Sequence, residues 1–277
     1  MKAEMHCHSV FSDGCLGYEE IFSYAKNTGL SAIALTDHDH FPTNEKIKLS
    51  CEEKGMRFIF GAEMSCKDYN TNRRVHLLCY LPKDVSPLKK IADETLKKRN
   101  EVGEYIIQRI LKAFPIPREA IEKYSKNSAC IYKAHIMRAL LDYGFDKELY
   151  GKLYNFIFYE NKERFSLPIA YPNVLDVLSA AKEAGSVTVL AHPSVYKSMD
   201  LAKSLAKKGL IDGVEIYHPK NKKEDIAVLE EMAKEFNLIK TGGTDFHGFH
   251  NSSPNPIGSF TTDEKNLKEI FSLSERK

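Results

Sequence analysis

Histidines and carboxylates recur together at the ends of the predicted strands of this 277-residue chain. The first such stretch is "MHCHSVFSDG", residues 5–14, which contains His6, His8 and Asp13. Later stretches supply Asp37, His38, Asp39 and His40, then Glu63, His76, His192, Glu215, His218, Asp245 and His247. Imidazole together with carboxylate suits Zn²⁺, Mn²⁺ or Fe²⁺. This set exceeds what one ion can bind, so the sequence predicts a site for two or three divalent metal ions.

The prediction depends on the whole set rather than on any single residue. Side chains alternate along a strand, so His6 and His8 share one face and Cys7 points away from it. Alone, this pair also fits an ordinary polar strand, and His76 alone fits a hydrogen-bonded core histidine. For Asp37, Asp39, His40 and His250 the sequence leaves two roles open: they support the ligands, or they are simply exposed.

Strand and helix patterns alternate in two parts of the chain, residues 1–81 and 166–277, and indicate a parallel sheet. Seven or so strands fit a small barrel related to the (β/α)₈ type, in which active sites form at the carboxyl ends of the strands. Residues 82–165 carry helical patterns without a clear strand. We therefore expect one barrel, formed by residues 1–81 and 166–277, and a small helical cap domain, residues 82–165, inserted over the active site.

Composition excludes several classes of protein. The chain is 43% hydrophobic and 28% charged, with a net charge of +2, which gives no bulk argument for nucleic-acid binding. It has no apolar run long enough to span a membrane, and the N-terminus lacks the apolar core of a signal peptide. The six cysteines form no CxxC pair, which favours free thiols in a reducing compartment. We expect a cytoplasmic protein without an obligate protein partner.

The motifs "MHCHSVFSDG", "ALTDHD", "GAEMS", "VHLLCY", "VLAHPS", "GVEIYH" and "TGGTDFHG" together resemble the PHP (polymerase and histidinol phosphatase) family. The resemblance implies an α/β fold, a distorted (β/α)₇ barrel with a trinuclear metal site. Carried over by motif, His6, His8, Glu63 and Asp245 would bind one ion. The second ion would be bound by Asp13, His38 and His247. The third would be bound by Glu63, His76 and His192.

The helical segment, residues 82–165, narrows the resemblance to one branch of the family. "YKAHIMRALLDYG" is similar to the phosphate-binding segment of the branch that hydrolyses nucleoside 3',5'-bisphosphates and short RNA 5' ends. Lys133, His135 and Arg138 would therefore bind substrate phosphate, although lysine is a point charge and cannot form a two-pronged contact. Ser194, just after the "AHP" motif, would line the pocket. The alternatives are a surface helix residue for His135 and an ordinary loop residue for Ser194.

These features predict a metal-dependent phosphoesterase that hydrolyses phosphate monoesters of small phosphorylated metabolites or nucleotides. A hydroxide bridging two ions would attack phosphorus, with Asp13 as a ligand and His192 or His218 protonating the leaving oxygen. One alternative is a 5'-3' exonuclease on short RNA or DNA oligonucleotides. A second is a phosphatase of the histidinol phosphatase type, a branch that usually carries histidine where Asp13 stands. A third is a metal-binding module without catalysis.

Overall fold

The computed structural model of the protein describes residues 1–42, 45–252 and 255–277, and those ranges contain eight strands. The strands are β1 (Lys2–Glu4), β2 (Ala32–Leu35), β3 (Arg57–Asp68), β4 (Arg73–Tyr80), β5 (Val187–Leu190), β6 (Gly213–Tyr217), β7 (Ile239–Gly242) and β8 (Thr262–Asp263). They form one sheet in the order β7-β6-β5-β4-β3-β2-β1-β8. The amide of Gly242 on β7 donates to the hydroxyl of Thr262 on β8 over 2.8 Å, so the two edges meet and the sheet is a nearly closed barrel.

Eleven α-helices lie in the same ranges. They are α1 (Tyr18–Asn27), α2 (Glu45–Glu53), α3 (Ser86–Ala113), α4 (Arg118–Ser125), α5 (Lys133–Asp142), α6 (Lys152–Asn155), α7 (Lys162–Phe165), α8 (Val174–Glu183), α9 (Met199–Lys207), α10 (Lys223–Glu235) and α11 (Glu264–Arg276). A π-helical turn, Phe156–Glu160, separates α6 from α7. No helix in the described ranges has the length and apolar character needed to cross a membrane.

Apolar patterning explains why these segments pack as a barrel. Every residue of β2 and of β5 is buried, as expected for strands covered on both faces. Helix α1 buries Ile21, Phe22 and Ala25, the three residues that the helical spacing places on one face. The chain then leaves α1 through Gly29, whose φ of 75° is the left-handed conformation that glycine adopts without strain.

The direction of β4 corrects the expectation of a wholly parallel sheet. β4 pairs antiparallel with both β3 and β5, and β8 pairs antiparallel with β1. Only residues 69–72 join β3 to β4, and so short a connection can link antiparallel strands but not parallel ones. The predicted α/β barrel is confirmed, but its central strand β4 runs against both of its neighbours, and the edge strand β8 runs against β1.

Helices α3 to α7, which follow β4 and precede α8 along the chain, pack around an apolar cluster of their own. This cluster includes Ile107 and Ile110 of α3, Leu140 of α5, Ile157 of the π-helical turn and Phe165 of α7, all fully or almost fully buried. The helices also contact the loops that follow β1 and β2. The Ser128 hydroxyl donates to the Ser12 carbonyl over 2.8 Å, and the Tyr132 hydroxyl donates to the His38 carbonyl over 3.2 Å. The division into a barrel and an inserted cap domain stays a prediction.

A buried ion pair joins α3 to the barrel. The Arg99 side chain donates to the Asp39 carboxylate over 3.2 Å and to the Ser65 hydroxyl over 2.8 Å. Arg99 is only 8% exposed and Asp39 is fully enclosed, so each charge depends on the other for compensation. The second Asp39 oxygen accepts the Ser65 amide over 2.8 Å, which ties the pair to β3.

We predict that Arg99→Ala lowers the free energy of unfolding by about 3 kcal/mol or more, because it leaves the Asp39 carboxylate buried without a cation. Urea titration followed by circular dichroism measures this change. Arg118→Ala is the matched control, since Arg118 forms exposed ion pairs with Glu104 and Glu122 and its loss should cost less than about 1 kcal/mol. Equal losses in the two variants would contradict the assignment of Arg99 as a structural link.

Candidate metal centre

The predicted ligands come from the segments that follow the parallel strands and from the β3–β4 hairpin. Residues after β1, β2, β5 and β7 reach the same end of the barrel, as the strand directions require. β3 continues past β2 and carries Glu63 there. His76 lies opposite Ser65 on the antiparallel strand β4, so it reaches the site from the first half of its strand. His192 and Asp245 have φ values of 27° and 49°, a strained conformation that is typical of functional sites.

The nine side chains predicted as ligands converge at this end. Donor atoms of His6, His8, Glu63 and Asp245 lie within 4.8 Å of one another, as do those of His8, Asp13, His38 and His247. A third group with the same spacing contains His38, Glu63 and His76, and His192 Nε2 lies 2.8 Å from Glu63 Oε1. The first group matches the predicted ligands of one ion, whereas His8 and His38 each belong to two groups. The assignment of ligands to individual ions stays a prediction.

Orphaned polar atoms indicate that this cluster fits metal ions. Six buried ring nitrogens and carboxylate oxygens form no well-aligned hydrogen bond within the described residues, although all but the last face an ionisable group 2.9–3.3 Å away: His6 Nε2, His8 Nε2, Asp13 Oδ1, His38 Nδ1, Glu63 Oε2 and His192 Nδ1. A buried polar atom without a partner costs about 1–3 kcal/mol. Cations at the cluster would satisfy these atoms together, so the cluster fits metal ions; two or three ions, and Mn, Fe or Zn as their identity, stay predictions.

The carboxylates of the cluster stay ionised despite their burial. Burial alone would raise the pKa of Glu63, but His76, His38 and His6 hold it well below its usual range. Burial opposes ionisation of Asp245 in the same way, and His6 and His247 hold its pKa well below the usual range. Burial alone would lower the pKa of His8, yet Asp245 and Glu63 raise it to about 10. A divalent cation would replace the proton that these carboxylates stabilise on the ring.

Outer residues fix the ligands in place. Glu215 Oε1 lies 2.9 Å from His6 Nδ1, and Glu215 Oε2 accepts the His192 amide over 2.9 Å. This leaves His6 Nε2 for a metal, as in other carboxylate–histidine–metal arrangements. The sequence placed Glu215 at a strand end but gave it no role. Asp37 is also a supporting residue, since its carboxylate accepts from the Ser9 amide and from both the Ser9 and the Ser12 hydroxyls.

His218, one of the two predicted proton donors to the leaving oxygen, is held among protein groups, and that role stays a prediction. Its side chain is fully buried, and its Nδ1 accepts the amide of Lys220 over 3.1 Å. The other nitrogen, Nε2, therefore carries the proton and lies 3.4 Å from Asp245 Oδ2. This geometry makes His218 a support for Asp245. The other predicted proton donor, His192, lines the cavity described next.

Two adjoining cavities of about 640 and 400 Å³ open over the cluster. The larger is lined by cluster residues, among them Glu63 and Asp245, and by Lys220. The smaller is lined by Asp13, by Lys133 and by Arg99. Both are lined by His38, Arg74, His76, Tyr150, Tyr154, Tyr159 and Tyr196.

Of the four predicted substrate-binding residues, the structure brings only Lys133 to a cavity wall. His135 is 1% exposed, and its Nδ1 accepts the Tyr132 amide over 3.2 Å, so it caps α5. Arg138 lies 3.7 Å from Asp142 on the same helix and lines neither cavity. The Ser194 hydroxyl donates to Asp225 over 2.5 Å. Each of these three side chains has a local partner, although His135 Nε2 is buried without a hydrogen bond among the described residues, and their role in substrate binding stays a prediction.

Sequence reasoning missed Arg74 and three tyrosines of the cavity walls. Arg74 stands two residues before His76 on β4, so the alternation of side chains along a strand places both on one face. That spacing was a usable signal. Tyr150, Tyr154 and Tyr159 carried no such signal, because Tyr159 lies within a π-helical turn that no periodicity predicts.

We predict that removal of divalent metal lowers the melting temperature by roughly 10 °C, because the orphaned donor atoms lose their cations. A ligand at a thousand times its Kd stabilises by about 4 kcal/mol, which corresponds to this shift in a chain of similar size. Scanning calorimetry with elemental analysis of bound metal checks it. Asp245→Asn should lose bound metal and most of the shift, whereas the control His40→Gln should retain both. An unchanged melting temperature after complete metal removal would contradict the prediction.

Comparisons with known proteins agree with this geometry. The family model of the PHP domain matches residues 4–164. A phosphoribosyl 1,2-cyclic phosphate 1,2-diphosphodiesterase from Eggerthella lenta is 30% identical over 250 residues, which cover 90% of this chain and 95% of that protein. A 3',5'-nucleoside bisphosphate phosphatase from Chromobacterium violaceum is 23% identical over 257 residues, 88% of this chain and 86% of that protein.

A similar fold has been solved. The crystal structure of a protein assigned as a metal-dependent phosphoesterase from Bifidobacterium adolescentis matches with a TM-score of 0.87 at 26% identity, covering 98% of this chain and 96% of that one. Together with the match to the family model over more than half of the sequence, this settles the predicted family and enzyme class. The chain belongs to the PHP family of metal-dependent phosphoesterases and is a hydrolase that acts on phosphoric ester bonds.

Proposed function

We propose that the protein hydrolyses a phosphate ester of a small substrate that carries a second phosphate group, such as a nucleoside 3',5'-bisphosphate. One observation carries the proposal: two cationic side chains without a carboxylate partner, Arg74 and Lys133, line the cavity beside the metal-ligating cluster. The cluster would receive the phosphate that is cleaved. The cations would receive the phosphate that is kept.

Arg74 is positioned for an anion rather than for a structural ion pair. Its guanidinium lies 4.8 Å from the ring centroid of Tyr171 and 5.5 Å from that of Tyr196. No carboxylate of the described residues lies within ion-pair distance of it. The two rings hold the planar group, and its donors remain for a ligand. Arg74 could therefore make the two-pronged phosphate contact that Lys133 cannot make.

Lys133 is held in an electropositive setting. Enclosure in the cavity, together with the charges of Arg74 and Arg99, lowers the pKa of Lys133 to about 8. Its ammonium lies 4.5 Å from the Phe158 ring centroid and contacts no carboxylate in the described part of the chain. Like charges that repel one another in an enclosed space favour binding of an anion, and a phosphate dianion suits two such cations.

The chemistry follows from the cluster and its neighbours. Divalent ions bound by the cluster would neutralise phosphoryl oxygens and lower the pKa of an attacking water. The protein orients the ligating rings through Glu215 and orients Asp245 through His218. Tyr196 lines both cavities, and burial raises its pKa to about 12, so its hydroxyl stays protonated and can donate to a substrate oxygen.

A cyclic phosphate is a second candidate substrate. The relative from Eggerthella lenta is named for a phosphoribosyl 1,2-cyclic phosphate, and the similarity extends along 90% of this chain. Such a substrate also combines a reacting phosphate with a second one, so the same cations would serve it. A relative from Haemophilus influenzae, 25% identical over 256 residues, is named a 5'-3' exoribonuclease, and short RNA therefore belongs in the same substrate panel.

We predict that Arg74→Ala and Lys133→Ala each raise KM for adenosine 3',5'-bisphosphate about ten- to hundredfold, because each removes a charge-assisted phosphate contact. KM for ribose 5-phosphate, which has one phosphate, should change much less. Steady-state release of phosphate in the presence of Mn²⁺ measures both. The panel also includes phosphoribosyl 1,2-cyclic phosphate and a short RNA, whose products are followed by chromatography because diester hydrolysis releases no inorganic phosphate.

The matched control is Arg73→Ala. Arg73 is exposed next to Arg74 on β4, its side chain bonds the carbonyl of Lys197, and it lines neither cavity. It should leave both KM values unchanged. Equal effects of Arg74→Ala on substrates with one and two phosphates would contradict a second-phosphate site. Absence of hydrolysis throughout the panel would contradict the proposed function as a whole.

The pKa of Lys133 predicts a pH dependence. Lys133 is cationic below about pH 8 and neutral above it, so the preference for the bisphosphate should fall as pH rises through about 8. The measurement is the ratio of kcat/KM for adenosine 3',5'-bisphosphate to that for ribose 5-phosphate between pH 6.5 and 9.5. In Lys133→Arg, which stays charged, the ratio should be flat over this range. The same fall in Lys133→Arg would exclude Lys133 as its cause.

A further inference from the structure

Three tyrosines of the helical segment line both cavities and have no part in the chemistry described above: Tyr150, Tyr154 and Tyr159. We propose that this group, the tyrosine wall, is a subsite for the planar nucleobase of the substrate. The inference rests on the proposed function and deepens it. Such a subsite would favour nucleotides over phosphorylated sugars among substrates that carry two phosphates.

The rings of the tyrosine wall do not stack on one another. The Tyr150 and Tyr154 centroids are 5.0 Å apart with the ring planes at 76°, and the Tyr154 and Tyr159 centroids are 5.9 Å apart at 60°. Edge-to-face contacts of this kind leave ring faces that no ring of the wall covers. A planar aromatic group entering the cavity could stack on such a face.

The backbone has an unusual shape at this point. The amide of Asn161 donates to the carbonyl of Phe156 over 3.0 Å, a bond between residues five apart that belongs to the π-helical turn. In a regular α-helix, Tyr154 and Tyr159 would point about 140° apart, since each residue advances by about 100°. The wider turn brings them back towards one side, where both line the same cavities. Single π-helical turns occur frequently at functional sites.

Aromatic residues of this segment differ in how far they are covered. Phe158 and Phe165 are buried in the apolar cluster of the helices, whereas Tyr159 is 66% exposed. The hydroxyls of Tyr150 and Tyr159 have no hydrogen-bond partner in the described ranges. Large rings left uncovered beside a cavity are typical of binding surfaces rather than of packing.

The remaining chemistry of the cavities favours a nucleobase as the ligand. Phosphates have their own partners in the metal-ligating cluster, Arg74 and Lys133, so the wall is available for the part of the substrate without charge. Asn155 lines the larger cavity, and its side-chain amide, which makes no hydrogen bond within the described residues, can pair with the edge of a base. A sugar alone has no planar face to stack on three rings.

The test compares two ligands that differ only in the base: adenosine 3',5'-bisphosphate and the same ribose 3,5-bisphosphate with a methoxy group in place of the base. Kd is measured by calorimetry on metal-loaded protein that keeps all cluster residues, with both ligands prepared as phosphonates in which a methylene group replaces each ester oxygen and prevents hydrolysis. Adding Tyr159→Ala should weaken binding of the adenosine ligand about five- to fiftyfold, as loss of one base–aromatic stack does elsewhere. It should leave the ligand without the base unchanged.

Two matched variants complete the test. Tyr159→Phe keeps the ring and should bind both ligands as the parent does. Tyr143→Ala removes a tyrosine that is 49% exposed on the same helical segment but lines neither cavity, and it should change neither Kd. An equal loss for both ligands in Tyr159→Ala, or no loss for either, would overturn the subsite. Because binding is measured rather than turnover, this result is distinct from a failure of the proposed hydrolysis.

Discussion

The burial of one carboxylate, Glu63, among five imidazole rings is the constraint on which the site depends. Nitrogens of His6, His8, His38, His76 and His192 lie between 2.7 and 3.3 Å from its two oxygens. An isolated carboxylate in that place would carry a large desolvation cost. The surrounding rings and the cations they can share with Glu63 remove that cost. Rings from β4 and from the segments that follow β1, β2 and β5 therefore meet at a single acidic side chain.

This constraint explains why the residues of the cluster could be predicted from the sequence. Histidine and carboxylate types stand at strand ends, and the alternation of side chains identified His6 and His8 as partners without any knowledge of the fold. The barrel followed from the alternation of strands and helices. The direction of β4 did not follow, although the short link of residues 69–72 was visible, because apolar periodicity carries no information on strand direction.

The residues that line the two cavities could be predicted from the sequence much less well. The resemblance of "YKAHIMRALLDYG" to a phosphate-binding segment located the region but not the contacts, and only Lys133 reaches the cavity. His135 and Arg138 are occupied by a helix cap and by an ion pair on their own helix. Contacts of this kind in the folded protein decide which polar side chains of a helix remain available to a substrate. Such contacts cannot be read from a single sequence.

The reversed strand has a geometric consequence for the helical segment. β4 carries the chain away from the metal-ligating cluster, so the chain must return before residues 114–165 can stand beside the cavities. Helix α3 makes that return with 28 residues, about 42 Å at 1.5 Å per residue. The length of α3 up to Arg99 is therefore fixed, because one residue added or lost before Arg99 would rotate that side chain by about 100° away from Asp39. An insertion or deletion in the helical segment therefore preserves the Arg99–Asp39 ion pair only if it lies after Arg99.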